Sequence, residues 1–356
     1  DQLALELGFD GDDARRVEAG VIFELRHNLT NGHTFLPQDK LVAATSQLLS
    51  LEAEPVIAAV DRLTELGRVE HSTIAGIAAV YLPEYYEAET AIAARIRAMA
   101  QHPPAPLPDA ERVLQGIEAI AGITYAERQR DAIRMAAERR IMILTGGPGT
   151  GKTTVLKAII EVYRILHPRN RIVLAAPTGK ASRRMAQSTG MLEALTLHSL
   201  LGLQGDFCSK DKQDKPLQVD FLIVDEASMV DMWLAHQLFT RLQRGTKLLL
   251  LGDVDQLESV GAGNVFAELI GSGIVPVTVL DEIFRQSKDS LIAYNAKFIN
   301  EENSSLFYGP DFQFVKAENQ EEAAAQIQML YLRELQDTSI GQLQIISPYS
   351  ATEKRT

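Results

Sequence analysis

Ile141-Met142-Ile143-Leu144-Thr145-Gly146-Gly147-Pro148-Gly149-Thr150-Gly151-Lys152-Thr153-Thr154 is the stretch that decides the fold. Four apolar residues run without interruption, as in a strand buried on both faces. A glycine-rich turn follows, and after Thr154 the pattern becomes that of an apolar-faced helix. Gly146 to Thr153 fits G-x-x-x-x-G-K-[ST]. Glycines at these positions let backbone N–H groups curl around phosphate oxygens with no Cβ in the way. The helix start aims its positive dipole end at the same anion. Lys152 supplies charge to the β and γ phosphates, and the Thr153 hydroxyl is a magnesium ligand. Gly146, Gly147, Pro148, Gly149, Thr150, Gly151, Lys152, Thr153 and Thr154 are therefore the expected nucleotide-binding residues, for ATP with Mg²⁺.

Downstream, the same texture repeats. RIVLAAP, FLIVDE, KLLLLGD and VPVTVL are short apolar runs separated by amphipathic stretches. Continuous apolar strands alternating with helices predict parallel βαβ units, so residues 111–282 are expected to form one α/β lobe. Residues 283–356 read as the start of another: a helix near 289–300, a strand near 312–316, a helix near 320–336, and a final strand, QLQIIS.

Two further segments carry chemistry. Phe221-Leu222-Ile223-Val224-Asp225-Glu226 brings two carboxylates to the end of an apolar strand. Asp225 is placed to hold the magnesium shell, and Glu226 to orient and deprotonate an attacking water. A small-molecule kinase needs no such water-activating base. Leu251-Gly252-Asp253-Val254-Asp255-Gln256-Leu257 ends the next strand, where Gln256 is placed to touch the γ-phosphate and report its loss.

The order phosphate loop, then DEAS, then GDVDQL resembles that of superfamily 1 helicases, and within them the RecD-like branch, the exodeoxyribonuclease V alpha-subunit type. The resemblance implies a RecA-like P-loop NTPase lobe, preceded by a helical domain and followed by a second RecA-like lobe. It also implies roles for further residues. In Thr124-Tyr125-Ala126-Glu127-Arg128-Gln129, similar to the Q motif, Gln129 reads adenine. Ala176-Pro177-Thr178-Gly179-Lys180-Ala181 and Thr196-Leu197-His198-Ser199 resemble segments that lie against single-stranded DNA, which makes Pro177, Thr178, Gly179, Lys180, Thr196 and His198 the DNA contacts. In Phe284-Arg285-Gln286, Arg285 reaches the γ-phosphate from the second lobe and Phe284 stacks on the base. The likeness extends through LALELGFD, RVEAGVIFEL, NGHTFLP and YLPEYYEAE near the N-terminus. It departs from the family at Glu258, where proline is usual. The later motifs of the second lobe do not follow Ser347-Pro348-Tyr349, so that lobe reads as incomplete and both ends as cut from a longer protein.

Before the lobe, residues 12–29, 38–49 and 54–66 read as helices and Arg68 to Leu82 as a two-stranded hairpin, a winged-helix-like module over 1–83. Such modules bind DNA or pack against a neighbour. A helix over 84–101 and the proline-rich HPPAPLP make 84–110 a connector. The net charge of −12 argues against a chain coated in nucleic acid, but residues 111–184 hold fourteen Lys or Arg against six Asp or Glu, a local excess suited to phosphate contact. The single cysteine, Cys208, excludes an intrachain disulfide and suits a reducing cytoplasm. No apolar run is long enough to span a membrane. The expected function is an ATP-dependent DNA helicase or translocase, moving 5′ to 3′ on single strands by resemblance. The alternative is a P-loop ATPase subunit that switches nuclease or helicase partner subunits in a complex.

Overall fold

The structure is a computed structural model and describes residues 10–104, 109–147, 149–191, 194–204, 207–208, 215–281 and 290–347, together with Glu6 and Gly8. It divides into two compact units, residues 1–285 and 286–356. The segments expected at 1–83, 84–110 and 111–282 therefore share one unit.

Helix α1 (Ala14–Leu29) starts at Asp13, whose carboxylate accepts from the Arg15 N–H at 2.9 Å. Its Val17, Val21 and Leu25 stripe is buried, as the spacing predicts, and Leu29 packs at the edge of that core. At Gly20 a Cβ would stand 2.8 Å from Leu49 Cδ1, so the glycine sets how closely the next helix approaches. Then come β1 (Phe35–Pro37), α2 (Gln38–Leu49), α3 (Ala53–Glu65), β2 (Glu70–Ile74) and β3 (Ile77–Tyr81). The hairpin β2–β3 gains β1 as a third, antiparallel strand, in the order β1-β3-β2. Three residues ending in proline carry no alternation, which is why the sequence hid β1.

Helix α4 (Pro83–Gln101) does more than connect. Its Ala88, Ile92, Ile96 and Met99 are buried in one core with Ile141, Ile143, Leu222 and Leu248 of the sheet.

After α5 (Ala110–Ala121) and α6 (Glu127–Glu138), the apolar run before the glycine-rich loop becomes β4 (Ile141–Gly146), and α7 (Lys152–Leu166) follows the loop. The remaining order is β5 (Ile172–Ala176), α8 (Gly179–Thr189), β6 (Leu195–Thr196), α9 (Leu197–Leu201), β7 (Leu203–Gln204), β8 (Phe207–Cys208), β9 (Phe221–Val224), α10 (Met232–Arg241), β10 (Lys247–Gly252), α11 (Val265–Gly271) and β11 (Val277–Leu280). Six strands form one sheet in the order β11-β4-β10-β9-β5-β6, and every neighbouring pair is parallel. Alternate residues serve opposite faces. Ile141, Ile143, Leu222, Val224, Leu248 and Leu250 join the core with α4, α9, α10 and α11. Met142, Leu144, Phe221, Ile223, Leu249 and Leu251 join the core with α5, α6 and α7. This is the α/β lobe expected from uninterrupted apolar runs. No helix of the described residues is long and apolar enough to cross a membrane.

The second unit holds α12 (Leu291–Asn300) and α13 (Gln320–Glu334). Asn295, fully buried, clamps Phe307: its Nδ2 donates to the Phe307 carbonyl at 2.6 Å and its Oδ1 accepts from the Phe307 N–H at 2.9 Å. Both helices answer to the expectation, but the two strands do not. Near 312–316 there is only an isolated bridge between Gly309 and Phe312. QLQIIS is not a strand either. Apolar alternation needs a neighbouring ladder to become a strand. Here Phe314 is 72% and Ile346 82% exposed, so among the described residues no such neighbour covers them.

Candidate active site

Parallel strands bring their C-terminal ends to one edge of the sheet, and each motif lies at such an end. The phosphate loop follows β4, GDVDQL follows β10 beside it, and Asp225-Glu226 follows β9 next along. Ala176 pairs with Thr196, so the segments starting at Pro177 and at Thr196 leave the sheet side by side. No sequence spacing reveals this order. It arises because the chain visits β5 and β6 before returning to β9 and β10.

Within the loop, Gly146 passes so close to the end of β11 that a Cβ would collide with the Leu280 carbonyl oxygen. Gly149 and Gly151 have φ of 77° and 86°, the left-handed region that glycine enters without cost. The Thr150 hydroxyl donates to the Gly147 carbonyl at 2.8 Å. Lys152 Nζ donates to the Gly146 carbonyl and, at 3.2 Å, to that of Gly147. No side chain caps the start of α7 at Gly151, so its first N–H groups face the loop. Thr153 and Thr154 are exposed there, and Pro148 lies outside the described residues.

Asp225 accepts from the Glu226 N–H at 2.9 Å, and its own N–H donates to the Ala175 carbonyl at 2.9 Å. Glu226 has φ of 52°, a left-handed conformation that costs a side-chain-bearing residue energy and recurs at working sites. Burial pushes both carboxyls above their ordinary range. For Glu226 the neighbouring Asp225 charge adds to the shift, while Lys152 and Arg184 pull both carboxyls down. Arg184 of α8 was not singled out in the sequence, and neither was Asp253, which also raises Glu226. The signals were available: an arginine five residues beyond Gly179, and an acid at the end of an apolar strand. A hydroxyl and a carboxylate are the hard oxygen donors that magnesium takes, alongside water and substrate phosphates. Thr153 and Asp225 fit that chemistry. Among the described residues no group of three or more His, Cys, Asp or Glu forms an all-protein cage.

The remaining candidates are placed as follows. Gln129 is buried, and its Oε1 accepts from the Ala126 N–H at 3.1 Å, holding the start of α6. Arg128, next to it, donates to the Val279 carbonyl at 3.3 Å, which ties this turn to β11 beside the phosphate loop. Gln256 is exposed in a loop whose Leu257 and Val260 are also bare to solvent. Glu258, in the place of the usual proline, accepts from Asn264 Nδ2 at 2.8 Å. Its charge is thereby turned toward the start of α11. Thr178 and Thr196 cap α8 and α9 through their hydroxyls, accepting from the Ala181 and Ser199 N–H groups at 3.2 and 3.1 Å. Lys180 is exposed and His198 half-buried. Phe284 and Arg285 lie outside the described residues.

A family profile described as an AAA domain matches residues 129–262. The ATP-dependent RecD2 DNA helicase of Deinococcus radiodurans is 33% identical over 286 residues, covering 78% of this chain and 39% of that protein. The RecBCD enzyme subunit RecD of Mycobacterium tuberculosis is 37% identical over 213 residues, covering 54% of this chain and 36% of its own length. This chain is a homologue of the RecD proteins. It spans about two fifths of the length of these relatives. Among solved structures, a Pif1 helicase from Candida albicans aligns with a TM-score of 0.42 at 22% identity, covering 61% of this chain and 56% of that one.

Proposed function

We propose that this chain is the ATP-hydrolysing part of a RecD-like DNA helicase or translocase, working with Mg²⁺ and moving 5′ to 3′ on single-stranded DNA. The observation that carries the reading is the common edge. The phosphate loop, the acid pair, the GDVDQL loop and the two threonine-capped segments all leave the same end of one sheet.

In this reading the loop N–H groups and Lys152 hold the triphosphate, with Gln129 at the adenine. Lys152 exchanges the two loop carbonyls for phosphate oxygens when nucleotide enters. Thr153 and Asp225 would hold magnesium, which neutralises charge on the phosphates when bound. Glu226 takes the proton of the attacking water, and its raised pKa brings it nearer to working pH as a base. Gln256 senses the γ-phosphate and passes the change to its exposed loop. Pro177 to Lys180, Thr196 and His198 track the DNA backbone through helix starts and a lysine, contacts that position a strand without reading its sequence. Residues 1–83 would act as a winged-helix-like module. Residues from 283 on begin a second RecA-like lobe, from which Phe284 and Arg285 reach back, so that hydrolysis waits on closure. The proposed compartment is the cytoplasm.

The test is strand displacement by the protein that carries this chain. Duplexes with a 5′ single-stranded tail should be unwound in an ATP-dependent manner, and those with a 3′ tail should not. Equal unwinding of both would remove the proposed direction. The likeness to a RecBCD enzyme subunit favours a second reading, an ATPase that switches partner subunits. That reading gains if ATP is hydrolysed with no displacement until partners are added.

A further inference from the structure

At the opposite end of the sheet a cavity of about 540 Å³ opens among Arg95, Ala98, Met99, His102, Arg140 and Arg244. Arg140 immediately precedes β4, and Arg244 lies just before β10. The length of a six-residue strand, roughly 20 Å, therefore separates this cavity from the phosphate loop.

Three arginines line this cavity, and among the described residues no carboxylate pairs with any of them. Two have partial structural duties. Arg95 Nη2 donates to the Leu242 carbonyl at 2.5 Å. Arg140 donates from Nε to the His102 carbonyl at 2.7 Å and from Nη1 to the Arg244 carbonyl. Each guanidinium carries five N–H donors, so most remain unspent. Arg95 Nε is buried without a hydrogen-bond partner among the described residues. The Arg244 side chain is exposed and has no hydrogen bond among the described residues. His102 Nδ1 faces the Ala98 carbonyl at 2.9 Å, leaving Nε2 for another partner. Like charges gathered with no counter-charge repel one another, and Arg95 registers it: burial first, then Arg244 and Arg140, hold its pKa below the usual arginine value. A bound anion would relieve all of this at once.

We propose that this cavity is a second anion site, one that takes a phosphate group carrying two or more negative charges. Three arginines and a phosphomonoester or diphosphate balance better than three arginines and the single charge of a backbone diester. Guanidinium forks match phosphate oxygens in pairs. Ala98 and Met99 add a short apolar wall for an organic group attached to the phosphate. A cavity of this volume falls in the range of small-molecule sites. Two sources share that chemistry: a small phosphorylated compound, and the terminal 5′-phosphate of a DNA strand.

The probe is inorganic pyrophosphate, titrated by calorimetry without divalent metal. It also suits the phosphate loop, so the full chain carries Lys152→Ala to weaken that site. One equivalent should still bind. Adding Arg244→Glu, a change at an exposed side chain, should weaken that binding by about tenfold to a hundredfold, as losing a charged hydrogen-bonding partner does. Arg244→Glu alone should leave ATP-analogue binding unchanged. Absence of pyrophosphate binding in the Lys152→Ala chain, or equal affinity with and without Arg244→Glu, would overturn the proposal. A labelled single strand with a 5′-phosphate, compared with the same strand ending in a 5′-hydroxyl, separates the sources. An Arg244-dependent preference for the phosphorylated end assigns the site to DNA termini. Pyrophosphate binding with no such preference assigns it to a small phosphorylated ligand.

Discussion

Lys247 shows how a single residue can tie two elements of the lobe together away from the site. It begins β10, is 7% exposed, and donates from Nζ to the carbonyls of Ala136 and Ala137 at 2.6 and 2.8 Å. These are among the last carbonyls of α6, which have no partner within the helix. Burial, followed by the charge of Arg140, pushes the ammonium down to about 8. The unfolded chain holds its proton to about 10.4, so between these values the unfolded state binds more protons. Stability therefore rises with pH across that window and is lost as pH falls through the folded value. Urea unfolding between pH 8 and 10 should show a slope of up to about 1.4 kcal/mol per pH unit that Lys247→Met removes. Identical slopes in the two proteins would mean that Lys247 titrates as an ordinary lysine. At this scale the sequence was readable where a motif fixes both residue and neighbour, as at Lys152, Asp225 and Glu226. It was silent on Arg184, Asp253 and the Glu258–Asn264 hydrogen bond, because those contacts join residues from different elements or across a loop.

At the scale of elements, five apolar runs of the lobe became five strands: β4, β5, β9 and β10 are buried on both faces, while β11, at the sheet edge, leaves Val279 46% exposed. β1 and β6 escaped notice, being three and two residues long. The expected strands near 312–316 and 342–347 failed for the converse reason, a pattern without a partner ladder among the described residues. One joint between elements was also invisible. The loop after β10 touches the N-terminal module where the Gly263 N–H donates to the Gly32 carbonyl at 3.0 Å. Gly263 has φ of 92°, and a Cβ there would come within 2.9 Å of Met232 Cβ and 3.2 Å of Thr34 Cγ2. Gly263→Ala should therefore lose about 1–3 kcal/mol from backbone strain and crowding. Thermal unfolding measures it, and an unchanged midpoint would show that the joint yields without cost.

For the molecule as a whole, residues 1–285 behave as one unit because α4 belongs to the core of the sheet. The proline-rich stretch reads in the sequence as a boundary, but burial of the helix before it outweighs that punctuation. Ile96 is 3% exposed, and Ile96→Ala should lower stability by about 2–5 kcal/mol, against about 0.5 kcal/mol for an exposed connector residue. Chemical unfolding followed by circular dichroism distinguishes the two. Above the fold stands the claim that one sheet edge couples nucleotide to DNA, and steady-state ATP hydrolysis with and without single-stranded DNA tests it most directly. The native protein should be stimulated by the strand. Glu226→Gln should bind Mg–ATP with native affinity yet hydrolyse it roughly 10²–10⁴ times more slowly. A native rate in Glu226→Gln, or a native protein indifferent to DNA, would contradict the account.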